Sequence, residues 1–286
     1  MAEQDKTFKQ FLDHYNEVIE DGSLYVVSTP IGNLADISIR ALHILTRVDL
    51  IAAEDTRHTG SLLAHFGIKS QLQSYHEHNA QKVLPFLIDK MKSGSSLAIV
   101  TDAGTPGVSD PGYRLVHESI ENGIRVIAVP GANALLAALV PSGLGTDRFT
   151  FEGFLPRKKG RQTRLKELVD ETRTMVFYES PNRIAKTVSE LSLKFGKDRK
   201  AVICRELTKN YEEYIRGTLE ELEKKLSEKS VKGEIVLVVE GKSNRKKREE
   251  NKESKNKYAN FPVPGEEDNE KVKKLSFPGY EKSHGR

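Results

Sequence analysis

With 286 residues the chain is too long for one ordinary small domain, and its length points to two of medium size. Hydrophobic residues make up 37% and charged ones 30%, a soluble globular balance; residues 242–286 hold 13 of the 45 Lys/Arg and 8 of the 41 Asp/Glu, so the rest is almost neutral and the basic pI of 8.9 is a property of that segment. The single Cys204 excludes an intramolecular disulfide, and the longest apolar run, 134–140, is far short of the roughly 20 residues a membrane span needs, so a soluble protein of the reducing cytoplasm is expected.

In chain order, Phe8, Phe11, Leu12, Tyr15, Val18 and Ile19 fall at helical spacing and predict an amphipathic N-terminal extension over residues 1–22. From Ser23 the pattern becomes strand, loop, helix. Strand-like runs at Leu24–Val27, Leu50–Ala53, Leu97–Thr101 and Arg125–Val129 alternate with helical patterns at Ile37–Thr46, Thr59–Phe66, Gln81–Met91, Tyr113–Glu121 and Ala134–Val140. Such alternation predicts an α/β domain, residues 23–145, built on a mostly parallel sheet with helices on its faces. Turn formers crowd Pro141–Asp147 and mark a boundary. A second α/β domain, 146–241, follows with runs at Phe149–Gly153, Thr174–Tyr178, Ala201–Glu206, near Tyr214, and at Ile235–Val239, and 242–286 reads as a charged, disordered tail.

In open α/β sheets ligands sit off the carboxyl ends of strands, so the loops there carry the chemistry. After the first strand comes T-P-I-G-N-L-A-D, where Gly32 permits a tight turn and Asp36 is placed to cap the next helix. The stretch Asp102–Gly112 packs three glycines, two prolines and two aspartates into eleven residues. A loop with so little side-chain bulk lets main-chain groups approach a ligand while Asp102 supplies a carboxylate. Pro130–Asn133 opens a helix with small residues, whose amides suit a polar ligand edge. In the second half Tyr178–Arg183, Arg205–Lys209 and Lys232–Glu234 each set polar residues beside a strand.

No G-x-x-x-x-G-K-[ST] occurs, and the lone Gly143-Leu-Gly145 lacks its third glycine because Arg148 stands there, which argues against a P-loop or an ordinary dinucleotide site. His76-Glu77-His78 offers a metal pair but no further ligand at matching spacing, so no metal is expected.

Taken together, eight collinear segments resemble the tetrapyrrole-methylase superfamily and, within it, the RsmI family of small-subunit (16S) ribosomal RNA cytidine 2′-O-methyltransferases. They are T-P-I-G-N-L-A-D (29–36), A-E-D-T-R-H-T (53–59), T-D-A-G-T-P (101–106) with S-D-P-G-Y (109–113), V-P-G-A-N-A (129–134), F-E-G-F-L-P (151–156), F-Y-E-S-P-N-R (177–183), R-E-L-T-K (205–209) and K-G-E (232–234). The resemblance implies two α/β domains, usually dimeric, with S-adenosylmethionine in the cleft between them. Carried over by position, it assigns cofactor contacts to Pro30, Ile31, Gly32, Asp102, Ala103, Gly104, Thr105, Pro130, Gly131, Ala132, Tyr178, Glu179, Ser180, Arg205, Glu206 and Lys209. The ribose hydroxyl is a poor acid, and Glu54, Asp55, Glu179 and Lys209 are the candidates to assist its deprotonation, with Glu54, Asp55 and Lys209 taken as catalytic. Arg57, Arg157, Lys158, Lys159, Arg161 and Arg164 are the candidate RNA-phosphate contacts. The family commonly continues into a small helical domain where this chain has its charged tail, which reads either as a flexible basic segment that binds phosphates without sequence preference or as a solubilising extension. A tetrapyrrole methyltransferase of the same superfamily and a non-catalytic rRNA-binding assembly factor are the competing readings.

Overall fold

A computed structural model describes residues 18–110 and 112–242. Most of the expected N-terminal helix lies outside these residues, as do residues 243–286 of the expected tail; Val18 is exposed, whereas Ile19 packs on the body.

Among the described residues, ten strands form two five-stranded sheets. In the first, β1 (Leu24–Val27), β2 (Leu50–Ala53), β3 (Leu72–Ser74), β4 (Leu97–Val100) and β5 (Val126–Val129) run parallel in the order β3-β2-β4-β1-β5. Between them lie α1 (Ile39–Arg47), α2 (Thr56–His65), α3 (Ala80–Lys92) and α4 (Gly112–Glu121). The strands are short continuous apolar runs because both faces are covered. Alternate residues separate into two cores: Leu24, Leu50, Ala52, Leu97 and Ile99 meet α3 and α4, while Tyr25, Val27, Ile51, Ala53, Ala98 and Val100 meet α1 and α2. The sequence pattern misses β3, a half-buried three-residue edge strand, Leu-Gln-Ser, with no apolar run to announce it. It also misplaces a cap. Asp36 sits in a short 3-10 turn, and Ser38 caps α1 by accepting the Ala41 N–H at 3.1 Å.

The second sheet orders β6 (Phe149–Phe154), β7 (Thr174–Glu179), β10 (Ile235–Val239), β8 (Lys200–Arg205) and β9 (Glu213–Thr218). Only β6 and β7 are parallel; the other pairs are antiparallel. One face, with Met175, Phe177, Ala201, Ile203, Leu237 and Val239, carries α6 (Arg161–Leu168), α7 (Ile184–Phe195) and α8 (Leu219–Glu228). The other face, with Val176, Val202, Cys204, Val236 and Val238, is covered by α5 (Ala134–Ser142). Burial pushes the Cys204 thiol up to about 12, so it behaves as a small apolar core residue.

Helix α5 follows the last strand of the first sheet yet packs on the second. It runs through Pro141, which the sequence assigned to a turn. A proline there removes the N–H that would have bonded the Ala137 carbonyl, and the Tyr214 hydroxyl donates to that oxygen instead at 2.9 Å. Arg216 donates to the carbonyls of Pro141 and Ser142, so side chains of β9 complete the helix end.

Candidate active site

A cavity of about 360 Å³ opens where the two sheets meet. The first half supplies Ile31 after β1, Ala103, Gly104, Thr105 and Val108 after β4, and Asn133 and Ala134 at the start of α5. The second supplies Phe154 at the end of β6, Tyr178 to Pro181 at the end of β7, Leu207 after β8, and Gly233 to Val236 entering β10. Strand β10 contributes its beginning because it is antiparallel: Ile235 lies opposite Glu179 on one side and Arg205 on the other.

Main-chain bonds set the floor of the cavity. Thr29 and Gly104 exchange N–H···O bonds of 2.9 and 3.1 Å, joining the loops after β1 and β4. Thr105 Oγ1 then ties in the third loop, accepting from Asn133 Nδ2 at 3.2 Å, facing Ser28 Oγ at 3.0 Å and donating to the Ala132 carbonyl at 3.3 Å. Asn133 Oδ1 meanwhile accepts the Leu135 N–H at 3.0 Å and caps α5.

Residues named from the sequence divide into those that line the cavity and those that hold the lining. Ile31, Ala103, Gly104, Thr105, Tyr178, Glu179 and Ser180 line it; Pro30, Gly32, Asp102, Pro130, Gly131, Ala132, Arg205, Glu206 and Lys209 do not. The R-E-L-T-K and K-G-E segments clasp each other. Arg205 Nε donates to the Lys232 carbonyl at 3.0 Å, and Glu206 accepts the Glu234 N–H at 3.0 Å and the Lys209 ammonium at 3.1 Å. That Glu234 amide bond, with Lys209 beside it, holds the Glu206 carboxyl below its ordinary value.

Lys209 is the strap across the two halves. Its stem lies on Gly32, where a β-carbon would come within 2.6 Å of Lys209 Cγ and where φ is +145°. Desolvation pulls the Lys209 pKa down, but Glu206 and Glu234, each 3.1 Å from the ammonium, outweigh it and hold the group above its ordinary value. It is therefore a fixed cation and cannot serve as a base near neutrality. The three non-glycine residues with positive φ among those described lie in the loops after strands: Ser109 after β4, and Glu206 and Thr208 after β8.

The three catalytic candidates, Glu54, Asp55 and Lys209, lie outside the lining of this cavity. Glu54 Oε2 accepts from Thr101 Oγ1 at 2.5 Å and from the Asp102 N–H at 3.3 Å, at the edge of a separate cavity. Asp102 Oδ1 accepts the Asp55 N–H at 3.1 Å, and burial and the neighbouring Glu54 charge raise its pKa. Asp55 is the N-cap of α2, binding the Arg57 N–H at 2.8 Å and the Arg57 guanidinium at 2.7 Å, and these bonds depress its pKa. Glu179 is buried under the Thr187 hydroxyl at 2.6 Å and the Arg183 guanidinium at 3.3 Å.

Two of the basic residues named for RNA need correction. Arg161 is only 5% exposed, paired with Glu190 at 2.7 Å and bonded to Thr187 at 2.8 Å, so its charge is consumed within the fold. Arg164 is shared between Glu152 and Glu167. Arg157, Lys158 and Lys159 are exposed and carry no ion pair among the described residues, and Arg57 is exposed but paired with Asp55. Sequence reasoning did not single out Val108, Asn133, Ala134, Phe154, Pro181, Leu207, Gly233, Glu234, Ile235 or Val236 individually as cofactor contacts, although most fall within its motifs. No group of three or more His, Cys, Asp or Glu able to hold a metal occurs among the described residues. No helix among them is long and apolar enough to cross a membrane.

Residues 23–223 match the family model of the tetrapyrrole (corrin/porphyrin) methylases. The ribosomal RNA small subunit methyltransferase I of Halalkalibacterium halodurans is 51% identical over 228 residues, covering 79% of this chain and 78% of its own length. That of Haemophilus influenzae is 50% identical over 224 residues, covering 77% and 79%. Among solved structures, diphthine synthase superposes with a TM-score of 0.60 at 19% identity, covering 77% of this chain and 90% of that one. Uroporphyrin-III C-methyltransferase from Thermus thermophilus, complexed with S-adenosyl homocysteine, superposes at 0.55 with 18% identity, covering 76% and 97%. These two likenesses concern the fold. Identities of 50% and 51% to the rRNA enzymes, over more than three quarters of the chain, go further: the chain belongs to the tetrapyrrole (corrin/porphyrin) methylases and, within them, to the ribosomal RNA small subunit methyltransferase I family.

Proposed function

We propose that the protein transfers a methyl group from S-adenosylmethionine to the ribose 2′-hydroxyl of a cytidine in 16S ribosomal RNA. The observation that carries the reading is the two-sided cavity, formed within a chain about half identical to rRNA methyltransferases over more than three quarters of its length. Its volume falls within the range of about 300–1,000 Å³ that encloses a ligand of this size. Its lining also fits: Leu207, Ile235 and Tyr178 suit a flat apolar ring, and the main chain of Ala103 to Thr105 suits polar edges.

When bound, S-adenosylmethionine supplies a methyl group activated on a sulfonium sulfur. The chain's own work is to align the ribose oxygen behind that carbon and to receive its proton. Alignment alone is worth roughly 7–11 kcal/mol. The proton goes to Glu54, whose carboxylate is held in place by the Thr101 hydroxyl and the Asp102 amide. Lys209, with Glu206 and Arg205, positions the cavity wall, and Asp55 holds the start of α2. Arg157, Lys158 and Lys159 are the RNA-phosphate contacts this arrangement leaves available. The same reading makes the protein cytoplasmic and a homodimer, whose interface would cover Leu136 and Val140, exposed one turn apart on α5.

The test is label transfer from tritiated S-adenosylmethionine to small ribosomal subunits, with the modified nucleotide mapped. A single 2′-O-methylcytidine is expected; transfer only to a tetrapyrrole, or to nothing, overturns the reading.

A further inference from the structure

A second cavity, of about 420 Å³, is bordered by Glu54, Glu77, Ser109, Asp110, Tyr113 and Arg114. The two cavities share one loop. Ala103 to Thr105 and Val108 line the first, Ser109 and Asp110 line the second, and Glu54 at its edge is bonded to the Asp102 amide. A molecule seated in the second cavity thus lies beside Glu54 and next to the donor's loop.

Its polar groups fall into two kinds. Asp110 is engaged, accepting the Gly107 N–H at 2.8 Å and the Gly112 N–H at 2.7 Å, and Glu54 is held by Thr101 and Asp102. Glu77 and Arg114 are exposed and make no hydrogen bond or ion pair among the described residues. Tyr113 is 68% exposed, with one ring face lying 11° from parallel to His117 at 5.9 Å. Its stack with His117 holds the ring in place and leaves the other face available to a planar partner.

An aromatic face, an unspent carboxylate and an unspent guanidinium around one hollow are the elements that read an unstacked base. Three carboxylates against one arginine disfavour a phosphate in the hollow, so the base enters and the backbone stays outside. A carboxylate accepts from an exocyclic amine such as cytosine N4, whereas the O4 of uracil would face it as a second acceptor.

We propose that this second cavity receives the flipped-out base of the target nucleotide, stacked on Tyr113, with Glu77 accepting a hydrogen bond from its exocyclic amine and Arg114 donating to its ring carbonyl. The assignment rests on the rRNA reading above and adds how that site selects an amino-bearing base. The test uses the full-length protein with small ribosomal subunits carrying cytidine or uridine at the mapped position, and calorimetry with S-adenosylmethionine. Replacing Tyr113→Ala raises KM for the subunit about tenfold, the scale of one lost base stack, and Tyr113→Phe restores it. Glu77→Gln, which offers both a donor and an acceptor, narrows the preference for cytidine over uridine about tenfold. Affinity for S-adenosylmethionine stays within about twofold in all three, since none of these residues lines its cavity. Variants with wild-type KM and wild-type cytidine preference overturn the base site while leaving the methyltransferase reading intact. Wild-type protein that transfers nothing to the subunits overturns both.

Discussion

In the first sheet every strand points the same way, and the loops after β1, β4 and β5 present mainly backbone and small side chains, Gly104 and Ala103 among them, to the cavity. In the second sheet, where β10 runs against both neighbours, strand ends and a strand beginning meet at one edge and present larger walls: Phe154, Tyr178, Leu207 and Ile235. The contrast teaches a division of work. The parallel half offers hydrogen-bonding main chain, the mixed half offers surface, and Lys209 on Gly32 holds the two together.

The largest expected effect tests whether chemistry is concentrated in the first half. Glu54→Gln lowers kcat about 10²- to 10⁴-fold, the usual worth of a positioned base, with affinity for S-adenosylmethionine unchanged by calorimetry. A kcat near wild type would move the proton acceptor elsewhere. Next comes the stability of the second half: Arg161→Ala strands Glu190 and costs about 3–5 kcal/mol in denaturant unfolding. Lys158→Ala and Lys159→Ala, two or three residues away but exposed, stay within about 0.5 kcal/mol.

A smaller effect probes the strap. Gly32→Val drives a side chain into Lys209 at a left-handed φ, a strain of about 1–3 kcal/mol. It is expected to weaken donor binding by about ten- to a hundredfold without changing the secondary structure. The smallest is a pH response that should be missing. The folded pKa of Lys209 lies above its unfolded value, so the stabilisation from Glu206 and Glu234 is fully present below about pH 10.4 and is lost only as pH rises through the folded value. Donor affinity should therefore show no Lys209 titration between about pH 6 and 9. A step in that window, absent in Lys209→Arg, would mean the lysine is not held as a cation.

Strands whose apolar runs are continuous, such as Leu50–Ala53 and Ile235–Val239, were legible because burial on both faces leaves no polar position to interrupt them. Strand β3 was illegible for the opposite reason: at a sheet edge, half-buried, its three residues carry no periodic signal. Pro141 read as a helix breaker because the partner that rescues its helix, Tyr214, lies 73 residues later in the sequence. The basic run near Lys158 read as one surface, yet one of its arginines turns inward to Glu190, and only packing distinguishes it from its neighbours.

What the amino-acid sequence determined by itself is the alternation of strand and helix and the position of each glycine-rich turn, because these depend on local periodicity and on backbone freedom at single residues. Tertiary structure alone decided which motif residues face the cavity and which brace it, that α5 leaves its own sheet for the other, and that the Asp102 amide meets Glu54. Those outcomes turn on distances between residues far apart in the chain, and burial, pairing and the pKa of a carboxylate follow from such distances.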